Sequence, residues 1–503
     1  MNKKVLYDWR IPEMACNFSR GVRLLVFCFI PMVSVLFSSP AFGKDLYVNA
    51  STGSDSWTWV QNSSSQPWAT LTKAVQAAVA GDTVYVLPGT YTGAGTGSRW
   101  TSAFNPTNSG TSGNPITFIG TAGVVLRTDM VAGPIIGADG RNYITWRNFV
   151  VDESNYLRAS DTCSVVLHET TGSVIDNVEV IGRALGVSSD NHSGIRIEAA
   201  NNITIKNSKL HGMYGLSGHH HNTGGIMTYG VSNSIFENNE IYDTDSGIYL
   251  KGAATGYSIN GNIVRYNYFH DLYSSAVLVY YGYTNTSIYQ NIIYGAFIGV
   301  KLDDTVSLAG TTIYNNTIVN SGTSNGSIYG QTIAAGPVVV KNNIVYGGLY
   351  GAQLTTYSYP ISFHHNNYYG QTGAGGWYVG TTQTWAQWTA GISGGELGSI
   401  RTDPLFVNAS TRNYRLQAGS PARTASDTGG AIGAYIAGTE TIGLPVMPPM
   451  SGIMSSGGGG GGGGGLGGGC SITATRVDSI NASSIVNLCL LIAPAILLFV
   501  RKL

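Results

Sequence analysis

Residues 239–241 read Asn-Glu-Ile, 267–269 Asn-Tyr-Phe, 291–293 Asn-Ile-Ile, 316–318 Asn-Thr-Ile, 343–345 Asn-Ile-Val and 366–368 Asn-Asn-Tyr. Upstream, the same phrase extends to Ser208/Leu210, Val178/Val180 and Asn148/Val150. Successive steps are 30, 30, 31, 28, 24, 25, 27 and 23 residues. A period of roughly 20–50 residues marks a solenoid, propeller or array, and a propeller blade needs about 40–50. The steps therefore favour a solenoid. Six consecutive asparagine rungs read as a stacked amide column that bonds to itself while turning each coil. Asparagine tolerates a left-handed turn, and stacked amides recur where identical strands repeat.

Between the rungs lie short β-branched or aromatic runs split by Gly/Asn turns, such as Ile116-Thr117-Phe118-Ile119 and Val338-Val339-Val340. No long helical period separates them. With three short strands per coil, each strand finds a parallel partner one coil later, about 4.8 Å away. The class expected is all-β. A short helix is expected over 70–80, where Leu71, Val75 and Val79 fall on one face.

The chain has 503 residues, formal net charge zero and 11% charged residues. This leaves no electrostatic footprint for nucleic acid. Residues 1–43 read as a secretory signal peptide: Arg20 and Arg23 precede the apolar Leu24–Phe37, and Ala41-Phe42-Gly43 is a small-x-small cleavage site. The alternative is an N-terminal anchor. Cys163 opens a strand-like run and reads as a small buried hydrophobe. Residues 437–469 form a glycine-rich linker. Residues 470–503 carry Cys470, the apolar run Ile485–Val500 and Arg501-Lys502. That order resembles bacterial C-terminal sorting signals. The resemblance implies that a processing protease or sortase-like enzyme trims the tail, with Cys470 as the processing or lipid-attachment point. A plain single-span transmembrane anchor is the alternative. Either way the body, 44–436, is expected to be exported and tethered at the outer surface or in the periplasm, with release after processing as one outcome.

Leu46-Tyr47-Val48, Gly53-Ser54-Asp55, Pro67-Trp68-Ala69-Thr70 and Ala80-Gly81-Asp82-Thr83-Val84-Tyr85-Val86 resemble the entry segment of the pectin-lyase-like, right-handed parallel β-helix superfamily. The stretch from Asp403-Pro404-Leu405-Phe406-Val407 to Ile432-Gly433-Ala434-Tyr435 resembles its closing coil. The resemblance implies a right-handed parallel β-helix with a short N-terminal capping helix. It also implies caps at 70–80 and 403–436, since a solenoid end exposes unpaired strands.

A second repeated strand gives the expected functional surface. Val165-Val166-Leu167-His168, Ile195-Arg196-Ile197-Glu198, Ile226-Met227-Thr228-Tyr229, Ile248-Tyr249-Leu250-Lys251, Val277-Leu278-Val279-Tyr280 and Val300-Lys301-Leu302-Asp303 align. Alternation sends the second and fourth residues outward. One outer row is then His168, Glu198, Tyr229, Lys251, Tyr280 and Asp303, and the other is Val166, Arg196, Met227, Tyr249, Leu278 and Lys301. Such a surface suits an extended, acidic polysaccharide; an ordinary solvated sheet face is the alternative. His168, Glu198, Tyr249, Lys301, Asp303 and His220 are the expected substrate contacts.

Lys251 is the sharpest catalytic candidate, with Tyr229, Tyr280 and Arg196 beside it. Abstraction of a proton α to a carboxylate needs a base and a cation near the developing charge. Gly247-Ile248-Tyr249-Leu250-Lys251 and Asn262-Ile263-Val264-Arg265-Tyr266-Asn267 are similar to alginate and chondroitin lyases of the β-helix type, which implies eliminative cleavage and calcium as a cofactor. The chain departs from those lyases where their catalytic arginine falls near Tyr280-Tyr281, and Asp243 and Asp245 do not match their calcium ligands. Gly218-His219-His220-His221-Asn222 reads as a metal or acid/base loop, or as a plain polar loop. His270-Asp271 reads as a turn cap, with an acid/base pair as the alternative. Asp303-Asp304, neighbours facing opposite ways, argue against a hydrolase pair. Two functions stay open: a polysaccharide lyase, and a non-catalytic adhesin or glycan-binding rod.

Overall fold

The computed structural model describes residues 43–444, apart from 96, 130–132, 155–161, 183–190, 216–221, 253–258 and 305. Three stacked sheets carry the fold. The first has 13 strands, from Asp45–Val48 and Thr83–Val86 through Val174–Asp176 and Ile263–Arg265 to Ile361–His364 and Ser393–Leu397. The second has 11, from Gly89–Gly93 to Asn367–Tyr369. The third has 11, from Ile136–Asp139 to Trp377–Val379 and Thr381–Gln383. Each coil gives one strand to each sheet, and strands pair in parallel with the coils before and after them. Among the described strands of these three sheets, only the end strand Thr381–Gln383 runs antiparallel to its neighbour. This is the expected all-β parallel β-helix.

Alternation fills the interior. Ile175, Ile205, Phe236, Val264, Ile288, Ile313, Val340 and Phe363 stack down the first sheet with no exposure. Burying each such side chain contributes about 1.5–3 kcal/mol. Cys163 is buried, as expected.

The asparagine column forms at the corner between the first and second sheets. Asn239, Asn267, Asn291, Asn316, Asn343 and Asn366 are fully buried. Each of the first five donates its backbone N–H to the side-chain oxygen of the next, at 2.9–3.1 Å. Their Nδ2 groups reach the same oxygens at 3.0 Å. Those nitrogens also donate across to carbonyls of the first sheet, such as Asn291 to Val264 at 2.9 Å.

Two details of the expected ladder are corrected. The left-handed residue is the one before each rung: Asn177, Asn207, Asn238, Tyr266, Gln290, Asn315, Asn342 and His365, with φ between 51° and 57°. The rung asparagines are not the left-handed residues; they act through their side chains and their backbone N–H groups. Asn148 belongs to this turning column, with φ 63°, so the register slips by one residue there. Val150 pairs with Glu179, and Val151 with Val180. From Val180 to Tyr368 the expected partners pair as read.

The ends also differ from expectation. The entry helix is Leu71–Ala77, capped by the Thr70 side chain, and it buries Leu71, Ala74 and Val75. Val79 lies beyond it, 43% exposed. Asp82 Oδ2 accepts the Val79 N–H at 2.9 Å and the Trp59 indole N–H at 2.8 Å, which draws the chain out of the helix. At the far end the cap is the helix Trp385–Gly391 with the strand Ser393–Leu397; Trp388 is buried against Phe363. Residues 403–436 do not cap the stack. They form a strap along the outside of the second sheet, where Phe406, Tyr414, Ile432 and Ala434 bury outward-facing Ile292, Val319 and Ile344. Those apolar residues point away from the interior and need that cover.

Glu396 closes the asparagine column. It is buried and accepts from Ser399 Oγ at 2.6 Å, Tyr368 Oη at 2.8 Å and Trp388 Nε1 at 3.0 Å. Burial raises its pKa more than these hydrogen bonds lower it.

Neighbouring asparagines should respond differently to one substitution. Asn316→Gly orphans the buried N–H of Asn291 and two carbonyls, and should cost about 3–5 kcal/mol in denaturant unfolding. Asn315→Gly, at φ 53°, should stay within about 1 kcal/mol, because glycine adopts that conformation freely. Equal losses would contradict the division of labour. For Glu396, a raised folded pKa gives stability present below the unfolded value and lost as pH rises through the folded one. The melting temperature of wild type minus that of Glu396→Gln should therefore fall as pH rises from about 4 toward neutral.

Candidate functional site

The outer surface of the third sheet gathers the expected residues in the expected register. His168 pairs with Glu198, Glu198 with Tyr229, Tyr229 with Lys251, Lys251 with Tyr280, and Tyr280 with Asp303. Beside them Val166, Arg196, Met227, Tyr249, Leu278 and Lys301 are likewise consecutive partners. Loop lengths explain the uneven period. The links from second to third sheet span 153–162, 182–192 and 212–223 in the early coils, but only 245, 273–274 and 295–297 later. The early strands of this sheet are thus preceded by longer links. His220 falls on one of them, outside the described residues, as do Cys470 and both terminal segments.

The two rows differ in depth. Met227, Tyr249 and Leu278 are 2–3% exposed and form their own apolar cluster, with Tyr229 and Tyr280 packed over it. Burial first, then the neighbouring Tyr229 and Tyr280, pushes the Tyr249 hydroxyl pKa well up. Substrate contact, expected for Tyr249, does not fit this placement. Arg196 is 5% exposed. Its guanidinium lies 4.5 Å from the Tyr229 ring centre and 3.3 Å from Glu198 Oε2. In that position it supports its neighbours from behind.

The upper row is aromatic and charged. Lys251 Nζ sits 5.1 Å from the Tyr229 ring centre and 5.6 Å from that of Tyr249, and donates to Asn222 Oδ1 at 3.3 Å. Ring faces attract a cation, so this seat suits an ammonium. Lys301 pairs with Asp303 at 3.3 Å and lies 5.9 Å from the Tyr329 ring centre. At the early end, His168 Nδ1 meets Asp139 Oδ1 at 2.8 Å while its ring stacks on Trp100 at 4.3 Å. Thr101 Oγ1 donates to the other Asp139 oxygen at 2.8 Å.

Trp100, Asp139, Tyr329 and Tyr378 were missed in the sequence. Three of them carried a readable signal. Ile136-Gly137-Ala138-Asp139 is the same alternating strand one coil earlier, and Tyr329 and Tyr378 continue the Lys301 row through Gln353. Trp100 comes from a Gly/Ser-rich link with no repeat to place it.

His270 and Asp271 lie within the strand Tyr268–Leu272; Asp271 has φ 54°, and His270 is held by Asp271 at 2.7 Å and Glu240 at 3.2 Å. Among the described residues, no group of three or more His, Cys, Asp or Glu is placed to hold a metal ion. The calcium expectation finds no ligand set there. No helix among the described residues is long and apolar enough to cross a membrane.

Tyr249→Phe should leave glycan affinity within about twofold, whereas Tyr249→Ala should lower stability by about 3–5 kcal/mol through the cavity it leaves. Titration calorimetry and denaturant unfolding read the two effects. A large affinity loss in the phenylalanine variant would return Tyr249 to the contact surface.

No curated protein sequence matches the chain. Solved structures with similar folds include the GH136 lacto-N-biosidase of Eubacterium ramulus, 12% identical, covering 72% of this chain and 68% of that one, with TM-score 0.45. Pectate lyase Pel9A is 14% identical over 78% of this chain and 96% of its own, with TM-score 0.46. PfbA, a surface adhesin of Streptococcus pneumoniae, is 15% identical over 58% and 83%, with TM-score 0.40. Residues 135–318 match the family model described as a right-handed β-helix region, and the chain is a right-handed parallel β-helix.

Proposed function

We propose that this chain is an exported, surface-tethered protein that binds an extended acidic polysaccharide along the outer row of the third sheet. The observation that carries this reading is the row itself. Tyr229, Lys251 and Tyr280 follow one another in the outer row, and Lys301, Tyr329 and Tyr378 lie in the row beside it, at steps fixed by strand pairing; Trp100 stacks on His168 at the early end. Aromatic faces suit the apolar faces of sugar rings, and ammonium groups suit uronate carboxylates. A rise of about 4.8 Å per coil is close to one sugar unit per one to two coils. Export and tethering rest on the sequence of the two termini.

Eliminative cleavage is the second reading. In it a base removes the proton α to the uronate carboxylate, the C–O bond to the neighbouring sugar breaks, and the electron pair forms a carbon–carbon double bond. Lys251, seated over two rings, faces the carboxylate and stabilises the charge that develops there. Tyr229 and Tyr280 flank the reacting unit, and Arg196 fixes Tyr229 from beneath. The ammonium-favouring seat of Lys251 supports this electrostatic role over that of base.

The test is a panel of uronate polysaccharides, with binding measured by calorimetry and elimination followed by the ultraviolet absorbance of the new double bond. Binding should weaken about tenfold or more in Lys251→Met and Tyr229→Ala. Elimination that disappears in Lys251→Met supports the lyase. Tight binding without any double-bond signal supports the adhesin or glycan-binding rod. If no uronate polymer binds the wild type, the reading fails.

A further inference from the structure

A second site lies at the last coil, on the corner between the second and third sheets. A cavity of about 390 Å³ is lined there by Tyr369, Gln371, Trp377 and Arg401, with Gly370, Gly373, Gly375 and Gly376 forming much of its wall. Gly370, Gly375 and Gly376 have φ of 77°, 78° and 85°. At Gly375 an added Cβ would stand 2.1 Å from the Gln383 carbonyl oxygen. The wall is therefore backbone, which keeps the space open.

Arg401 is held firmly. Ile400 pairs with Asn367: the Tyr368 N–H donates to Ile400 O at 3.0 Å, and the Ile400 N–H to Asn366 O at 2.8 Å. Thr402, on the other side, donates its N–H to Asn367 Oδ1 at 3.2 Å. The guanidinium then lies 5.2 Å from the Trp377 ring centre and 5.5 Å from that of Trp385.

Arg127, Arg147, Arg196, Arg265 and Arg412 all meet carboxylates. Arg401 meets none within 4.0 Å among the described residues, and its N–H groups have no acceptor there. Arg401 is exposed, whereas Trp377, which lines the same cavity, is 1% exposed, and its buried indole N–H has no partner among the described residues. Gln371 gives its amide nitrogen to Val345 O at 3.1 Å, Gly347 O at 3.3 Å and Tyr369 O at 3.3 Å, which leaves Oε1 as an acceptor. Arg401, Gln371, Trp377 and the 37% exposed ring of Tyr369 line one space.

We infer that this cavity is an anion subsite that takes the carboxylate of a uronate unit, with Arg401 as the bidentate donor. A planar guanidinium matches a planar carboxylate through two parallel hydrogen bonds. Stacking on two indoles removes the rotamer freedom that such a contact otherwise costs. Tyr378, next to Trp377 in sequence, is the last ring of the Lys301 row, and alternation turns the two side chains to opposite faces of their strand. The inference deepens the acidic-polysaccharide reading and rests on it for the polymer, while the carboxylate contact is tested separately.

The full chain and its Arg401→Met and Lys251→Met variants are titrated with a uronate trisaccharide, with the same trisaccharide carboxyl-reduced to the neutral sugar, and with a sulfated neutral trisaccharide. Calorimetry gives affinity and indole fluorescence reports the cavity. Methionine preserves packing over the indoles, and an unchanged melting temperature confirms it. Arg401→Met should bind the uronate about 10- to 100-fold more weakly, lose the fluorescence response, and bind the neutral sugar as wild type does. Uronate affinity unchanged in Arg401→Met but reduced in Lys251→Met would overturn the subsite and leave the main row standing. Loss in Arg401→Met alone would support the subsite and count against the row. Preference for the sulfated over the uronate sugar would overturn the carboxylate assignment.

Discussion

The hydrogen bond from the backbone N–H of one buried asparagine to the side-chain oxygen of the next sets the terms for this fold. A coil of two to three dozen residues cannot satisfy its own strands; every ladder bond runs to the coil above or below. At the corner between the first and second sheets the backbone turns inward-facing peptide groups toward a dry interior, where an orphaned donor costs about 1–3 kcal/mol. The amide column meets that demand with one side chain per coil: Oδ1 accepts from the preceding rung while Nδ2 reaches across to the first sheet. Because the column fixes the rise, it also fixes which outward residues become neighbours on the opposite sheet.

That link made much of the third sheet legible from sequence. Once the repeat from Asn239 to Asn366 is aligned, period-two alternation assigns His168, Glu198, Tyr229, Lys251, Tyr280 and Asp303 to one row, and strand pairing agrees at every step. What alternation cannot give is depth. Tyr249 and Arg196 point outward like Lys251, yet neighbouring side chains cover them, and only tertiary packing decides that. The slip at Asn148 has a different origin. Before Asn239 the rung is filled by Ser208, Val178 and Phe149, so the chemical marker is lost and a turning asparagine takes its place in the pattern.

The ends were harder to read for a related reason. Capping segments do not repeat, so no register places them. Residues 403–436 carry apolar residues that suit a cap, and their true partners, Ile292, Val319 and Ile344, are outward-facing positions of the second sheet that period-two reasoning assigns to solvent. The apolar outer face of that sheet was the signal: a run such as Asn291-Ile292-Ile293-Tyr294 is apolar on both sides, and both sides must be covered.

The strap has a bearing on how the stack comes apart. In a solenoid each coil touches only its neighbours, so opening can begin at one end and travel inward in small steps. Here Asp427 holds Lys341, Ala434 holds Thr317, Arg412 lies over Tyr294 and donates to Tyr268, and Gly443 reaches Tyr266. One segment thus spans several coils at once, with hydrogen bonds such as Arg412 to Tyr268 and Gln290 to Ala434 bridging 144 residues of sequence. Those coils cannot peel away singly while the strap remains seated. The coils beneath it are joined into one cooperative unit.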